Sequence, residues 1–218
     1  MTSDTDWFED LLATAALPAF RIERLIALVT GPNRHYHGRD HLALLWARHR
    51  QLGNGTEFHR PRANRLIAQA IAFHDAIVDP QRQDNEQRSA DLWRQAAQGN
   101  PADEIDWVAG TIEATADHLA CGTCLSEPGG RMRAWVLDLD LTPLGESQEA
   151  FRRNARLLRA ENRHLTDAQW ERQRITFLQR FADAPQIYRS PVIAAGFEAQ
   201  AKQNIAEELT RSGRRRRA

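Results

Sequence analysis

Apolar residues recur every three or four positions along almost the whole chain, and this periodicity constrains the fold more than any other feature. Segment 18–30 carries Phe20, Ile22, Leu25, Ile26 and Val29. Segment 38–52 carries Leu42, Leu44, Leu45 and Trp46, and segment 61–77 opens with Pro61 and carries Leu66, Ile67, Ala70, Ile71 and Phe73. Segment 84–98 begins with Asp84 and has Gln87 three residues later, the pattern of a capping box. Segment 101–119 opens with Pro101, a residue suited to a first helical turn, and carries Ile105, Val108, Ile112 and Leu119. Further helices are expected over 131–141, 146–162, 166–183 (with Thr166 and Asp167 able to cap) and 190–211. No stretch alternates convincingly enough for a strand. Turn signals at Gly31-Pro32, Gly53-Asn54-Gly55, Asp79-Pro80, Gly99-Asn100-Pro101 and Pro128-Gly129-Gly130 separate the helical runs, with no long linker and no repeat. The pattern predicts an all-α fold of about eight to ten helices in one domain over 1–211. Residues 212–218, RSGRRRRA without its first letter, are expected to form a flexible basic tail.

Composition excludes several functions. Lys+Arg and Asp+Glu both number 29, so a chain of 218 residues has no net charge and no broadly basic surface for nucleic acid. The four arginines at 214–217 read as a solvated tail. The N-terminal MTSDTDWFED lacks the apolar core of a secretory signal, and no apolar run approaches the ~20 residues that span a bilayer. A cytoplasmic protein with no membrane partner is expected, and self-association stays open. Cys121 and Cys124 are the two cysteines, too few for a four-cysteine zinc site; they read as a reduced loop pair or as a redox or metal pair.

Histidine and aspartate fall in a particular order. Tyr36-His37 is followed by His41, then Phe73-His74-Asp75, then Thr115-Ala116-Asp117-His118, then Leu137-Asp138-Leu139-Asp140-Leu141. A helix would put His37 and His41, four apart, on one face. Imidazole and carboxylate together suit a divalent metal, and carboxylate ligands leave positions open to water. His35, His49, His59 and His164 fit no pattern of this kind.

This H…HD…D order resembles the HD superfamily of metal-dependent phosphohydrolases. The likeness extends to one bacterial subfamily of predicted HD phosphohydrolases, through Tyr36-His37 to His41, Ala70 to Asp75, Asp84-Asn85-Glu86 with Ser89-Ala90, Thr115 to His118, Leu137 to Gly145, and Ile187-Tyr188. The likeness as a whole spans roughly residues 20–210. Pro143, inside LDLDLTPLG, departs from the pattern and bears on where the helix after Asp140 ends.

The resemblance implies an HD-domain helical fold with additional C-terminal helices and a phosphohydrolase acting on a small phosphorylated substrate, a mono- or diester of the nucleotide class. It implies a divalent cofactor (Mn, Mg, Ni, Co, Fe or Zn) held by His41, His74, Asp75 and a late aspartate. The A-D-x-L context of related helices favours Asp140, leaving Asp138 for a cap or a supporting bond. By the same likeness, His37 is the general acid or else a surface residue at a helix start. Asp75 is catalytic as well as a ligand. Glu86 orients the attacking water or caps its helix, and His118 is a further ligand or a core histidine. Arg34, Arg39 and Arg88 are placed to clamp phosphate, for which guanidinium geometry is suited. Two other readings stay open: a non-catalytic HD module that binds a nucleotide or a protein, and a di-iron HD oxygenase, for which His118 is the spare ligand.

Overall fold

A computed structural model describes residues 6–120, 125 and 129–215, with the side chains of 214 and 215 excepted. Among the described residues there are ten α-helices and no strand. They are α1 (Trp7–Ala15), α2 (Ala19–Val29), α3 (Arg39–Leu52), α4 (Pro61–Phe73), α5 (Asn85–Ala96), α6 (Ala102–Ala114), α7 (Gly130–Leu141), α8 (Gln148–Glu161), α9 (Asp167–Asp183) and α10 (Pro191–Arg215). Short 3₁₀ turns occupy Glu57–His59, Thr115–Asp117 and Thr142–Gly145. None of the helices is long and apolar enough to cross a membrane. The all-α expectation holds. The chain forms two compact units, 1–139 and 140–218.

The first unit is built around α4. Every residue from Leu66 to Phe73 is buried, and α1, α3, α5 and α6 pack against this helix. Pro61 occupies its first turn, where the missing N–H costs nothing. Polar groups on α4 tie down its neighbours. Gln69 donates to the Ala15 carbonyl (2.9 Å) at the end of α1, an acceptor with no helical partner of its own. Arg62 and Arg65 reach Glu104 on α6 at 2.8 Å each. Burial opposes ionisation of Glu104, yet the two guanidiniums hold its carboxyl below the usual range.

α1 was not expected from the periodicity. Asp6 caps it, accepting from the Phe8 and Glu9 amides, and Phe8, Leu11, Leu12 and Ala15 form its buried face. The capping box expected at Asp84 is absent. That carboxylate binds the Arg82 guanidinium instead, at 2.7 and 2.5 Å, and Gln87 bonds Asp91 (3.2 Å). The box at Thr166 and Gln169 is present.

In the second unit, α10 packs on α9 and on the 3₁₀ turn, and α8 packs on that turn as well. α7 runs to Leu141, and Pro143 sits in the 3₁₀ turn that follows it. A Cβ on Gly145 would lie 2.6 Å from the Phe197 carbonyl oxygen, so glycine lets the turn approach α10. Tyr188, fully buried, donates from its hydroxyl to the Leu141 carbonyl (3.0 Å). The Gly145 and Ile187-Tyr188 motifs are therefore packing devices of this unit. α10 reaches Arg215, so the stretch expected to be a flexible tail from 212 is helical for its first four residues. Residues 216–218 and the Cys121/Cys124 pair lie outside the described residues.

Candidate metal centre

His41 lies in the first turn of α3 and His74 caps the C-terminal end of α4. Both are buried, at 5% and 3% exposure, and Asp75 in the following turn is half-buried. Among the described residues these three form the group able to hold a metal ion, with ligand atoms within 4.8 Å of one another. Asp75 Oδ2 lies 2.9 Å from His74 Nε2 and 3.8 Å from His41 Nε2. The two imidazole rings are 5.5 Å apart, centre to centre.

The bonds around His74 decide its chemistry. Its Nδ1 is 2.9 Å from the Ile71 carbonyl oxygen, which can only accept, so Nδ1 carries a hydrogen. In the neutral ring Nε2 then presents a lone pair, 2.9 Å from a carboxylate oxygen. Two acceptors at that separation repel unless a proton or a cation lies between them. The distances suit a cation. Ligands about 2.1 Å from one ion and at right angles to each other lie about 3 Å apart, and opposed ligands lie about 4.2 Å apart. His74 also stands at the negative end of the α4 dipole, where a cation is favoured. The Ile71 bond fixes ring and tautomer, as carbonyls do behind metal-ligating histidines.

The turn after the histidine is held bond by bond. The Ala76 amide donates to the Phe73 carbonyl (3.0 Å). Ser89 Oγ accepts from the Ile77 amide (3.0 Å) and donates to its carbonyl (3.3 Å). Asn85 accepts from the Asp79 amide and donates to its carbonyl, both at 2.9 Å. Asn85 and Ser89 are one turn apart on α5, so the Asn-Glu-x-x-Ser stretch clasps residues 77–79. Sequence reasoning quoted these residues without giving them this part.

His37 does not share a helical face with His41. α3 starts at Arg39, and Gly38 before it is extended (φ −127°, ψ −166°). The two rings still lie 6.1 Å apart, edge to face, with Tyr36 packed 4.9 Å from each. Edge-to-face packing against Tyr36, not helical spacing, brings His37 to the cluster.

Two of the three arginines expected at phosphate, Arg34 and Arg39, have other partners. Arg34 donates to the carbonyls of His37 (3.0 Å), Asp75 (2.7 Å) and Ala76 (2.7 Å). Arg39 bonds Asp6 and lies 5.0 Å from the Phe8 ring centre, so it serves α1. Its guanidinium holds the Asp6 carboxyl below the usual range. Arg88 is exposed on α5.

Glu86 is half-buried in the first turn of α5, and His118 is half-buried after the 115–117 turn. Asp138, on α7, is completely buried. None of these three joins the group of His41, His74 and Asp75. Asp140, half-buried, is the first residue of the second unit. Compared with family models, curated proteins and solved structures, the chain matches none.

Proposed function

We propose that the chain is a metal-dependent phosphohydrolase of the HD type, acting on a small phosphate mono- or diester of the nucleotide class. The observation that carries this reading is the convergence of His74 Nε2 (2.9 Å) and His41 Nε2 (3.8 Å) on Asp75 Oδ2, with His74 Nδ1 bonded to the Ile71 carbonyl. His41, His74 and Asp75 would hold one divalent ion. A bound divalent ion lowers the pKa of water toward neutrality and offsets charge on phosphoryl oxygens. Asp75 is the more open of the three, so substrate approaches from its side. His37, half-buried beside Tyr36, is placed to give a proton from a ring nitrogen to the leaving oxygen.

The test is metal analysis of protein purified without added metal, then titration with Mn²⁺, Co²⁺, Ni²⁺, Fe²⁺ and Zn²⁺ and a panel of nucleotides, phosphomonoesters and phosphodiesters. Uptake of one ion per chain with hydrolysis of at least one ester class is the expected result. No uptake of any of these ions would overturn the reading.

A further inference from the structure

The loop that carries His37 and the turn that carries Asp75 are about forty residues apart in sequence, and one guanidinium joins them. Arg34 Nη1 donates both to the His37 carbonyl (3.0 Å) and to the Asp75 carbonyl (2.7 Å), while Nη2 donates to the Ala76 carbonyl (2.7 Å). We propose that Arg34 is a positioning residue: it sets the His37 loop against the Asp75 turn, and so fixes the proton donor relative to the ligand carboxylate. The inference rests on the metal-centre reading above and goes on to the arrangement of its parts.

Three observations support it. First, the carbonyls of residues 75 and 76 lie just past the end of α4, where no further helical amide follows to bond them. A planar guanidinium presents parallel donors and can meet two successive carbonyls together, whereas an ammonium is a point charge on a flexible stem. Second, the rest of the turn is held by α5, through Ser89 at residue 77 and Asn85 at residue 79. Arg34 ties that same turn to the His37 loop. Third, the loop closes tightly over the arginine. A Cβ on Gly38 would sit 3.1 Å from the Val29 carbonyl oxygen and 3.4 Å from Arg34 Cβ, so glycine here keeps the loop seated on the Arg34 stem. With three of its five N–H groups bound to main-chain carbonyls, Arg34 serves here as a positioning group and not as a phosphate clamp.

The experiment follows Co²⁺ binding to metal-free wild type, Arg34→Lys and Arg34→Ala by visible absorption, with melting temperature and steady-state kinetics beside it. Loss of a group that orients metal ligands weakens metal by ~10–100-fold. Arg34→Ala should bind Co²⁺ more weakly by that factor with an altered absorption band, and kcat should fall more than KM rises. Arg34→Lys should lie between wild type and Ala, and methylguanidine should restore part of the Co²⁺ affinity of Arg34→Ala. If Arg34→Ala does not fold, Arg34→Lys decides alone. A lower melting temperature with unchanged Co²⁺ affinity and spectrum would overturn the proposal, as would a rise confined to KM, which marks a substrate clamp. Absence of Co²⁺ uptake by wild type would instead sink the metal-centre reading on which this rests.

Discussion

Two buried histidines on α3, His41 and His49, are separated by about two helical turns and stand in opposite electrostatic settings. His49 is completely buried and both its ring nitrogens meet neutral groups. The Trp135 indole donates to Nδ1 (3.0 Å), which leaves Nε2 as the hydrogen-bearing atom, donating to Asn64 Oδ1 (2.9 Å). His59 adds a ring nitrogen on the His49 carbonyl (3.1 Å). Such a ring is a neutral hub that joins α3, α4 and α7. At the other end of the helix, His41 faces a carboxylate oxygen that is also shared with His74. Burial is nearly the same in the two places; the partners differ. A buried imidazole between neutral partners is finished as structure, whereas two imidazole nitrogens converging on one carboxylate oxygen offer a cation its ligands.

Exchanging the loss between the two clusters gives the largest expected effect. Asp75→Ala should weaken metal binding by more than the ~100-fold upper figure for supporting groups and abolish hydrolysis, with helix content retained in the far-UV spectrum. His49→Ala should do the reverse. It leaves the Trp135 N–H and the Asn64 oxygen in a buried site without their partner, at about 1–3 kcal/mol for each, while metal stoichiometry stays unchanged. If Asp75→Ala keeps its metal, or His49→Ala loses it, the two clusters do not divide the labour in this way.

Much of this was legible in the sequence, for identifiable reasons. The helices from α2 to α10 follow from apolar spacing where one face is buried, as in α2 and α8, and from an apolar run in α4, which is buried all round from Leu66 to Phe73. The HD pair was legible because two ligand-type residues are adjacent at the end of an apolar run. α1 was missed although Asp6, Phe8, Leu11, Leu12 and Ala15 carry the pattern. At nine residues such a helix is marginal alone and is fixed by tertiary bonds, such as that of Trp46 Nε1 to Asp10 (2.7 Å). The Asp84 box failed because a nearby Arg82 outcompeted backbone amides for the carboxylate. His37 reached the cluster by edge-to-face packing against Tyr36, which spacing does not encode. The bonds of Arg34 to main-chain carbonyls were not legible, because acceptors at residues 37, 75 and 76 carry no sequence signal. His49 showed no motif, since its partners at 64 and 135 are neutral and distant in sequence.

The His37 contribution is smaller and carries a chemical signature. A general acid is worth ~10²–10⁴-fold in rate. His37→Ala should keep its metal and slow hydrolysis within that range for alkyl leaving groups. The defect should shrink for a nitrophenolate, which leaves without a proton. Equal slowing of both substrates would remove the acid role and leave Tyr36 and His37 as packing around His41.

The smallest expected effect is a pH dependence that belongs to His49 and not to the metal cluster. Burial pushes its pKa down from 6.5 to about 4, against the bond to Asn64, with the nearby His59 and Arg50 charges acting in the same direction as burial. Protonating Nδ1 would also set its new hydrogen against the indole N–H that now donates there. In the unfolded chain the ring takes a proton near its ordinary value, so between the two values the unfolded state binds more protons than the folded one. The stabilisation from a neutral His49 is therefore complete above about pH 6.5 and declines as pH falls toward 4, by a total of about 3 kcal/mol. Urea midpoints of wild type and His49→Gln, measured from pH 7 down to pH 4, isolate this contribution, because groups elsewhere cancel in the difference. The stability advantage of wild type should shrink over that window. A difference that stays flat from pH 7 to pH 5 would mean that His49 titrates alike in both states, and the contrast between a neutral hub and a cation site would lose its first half.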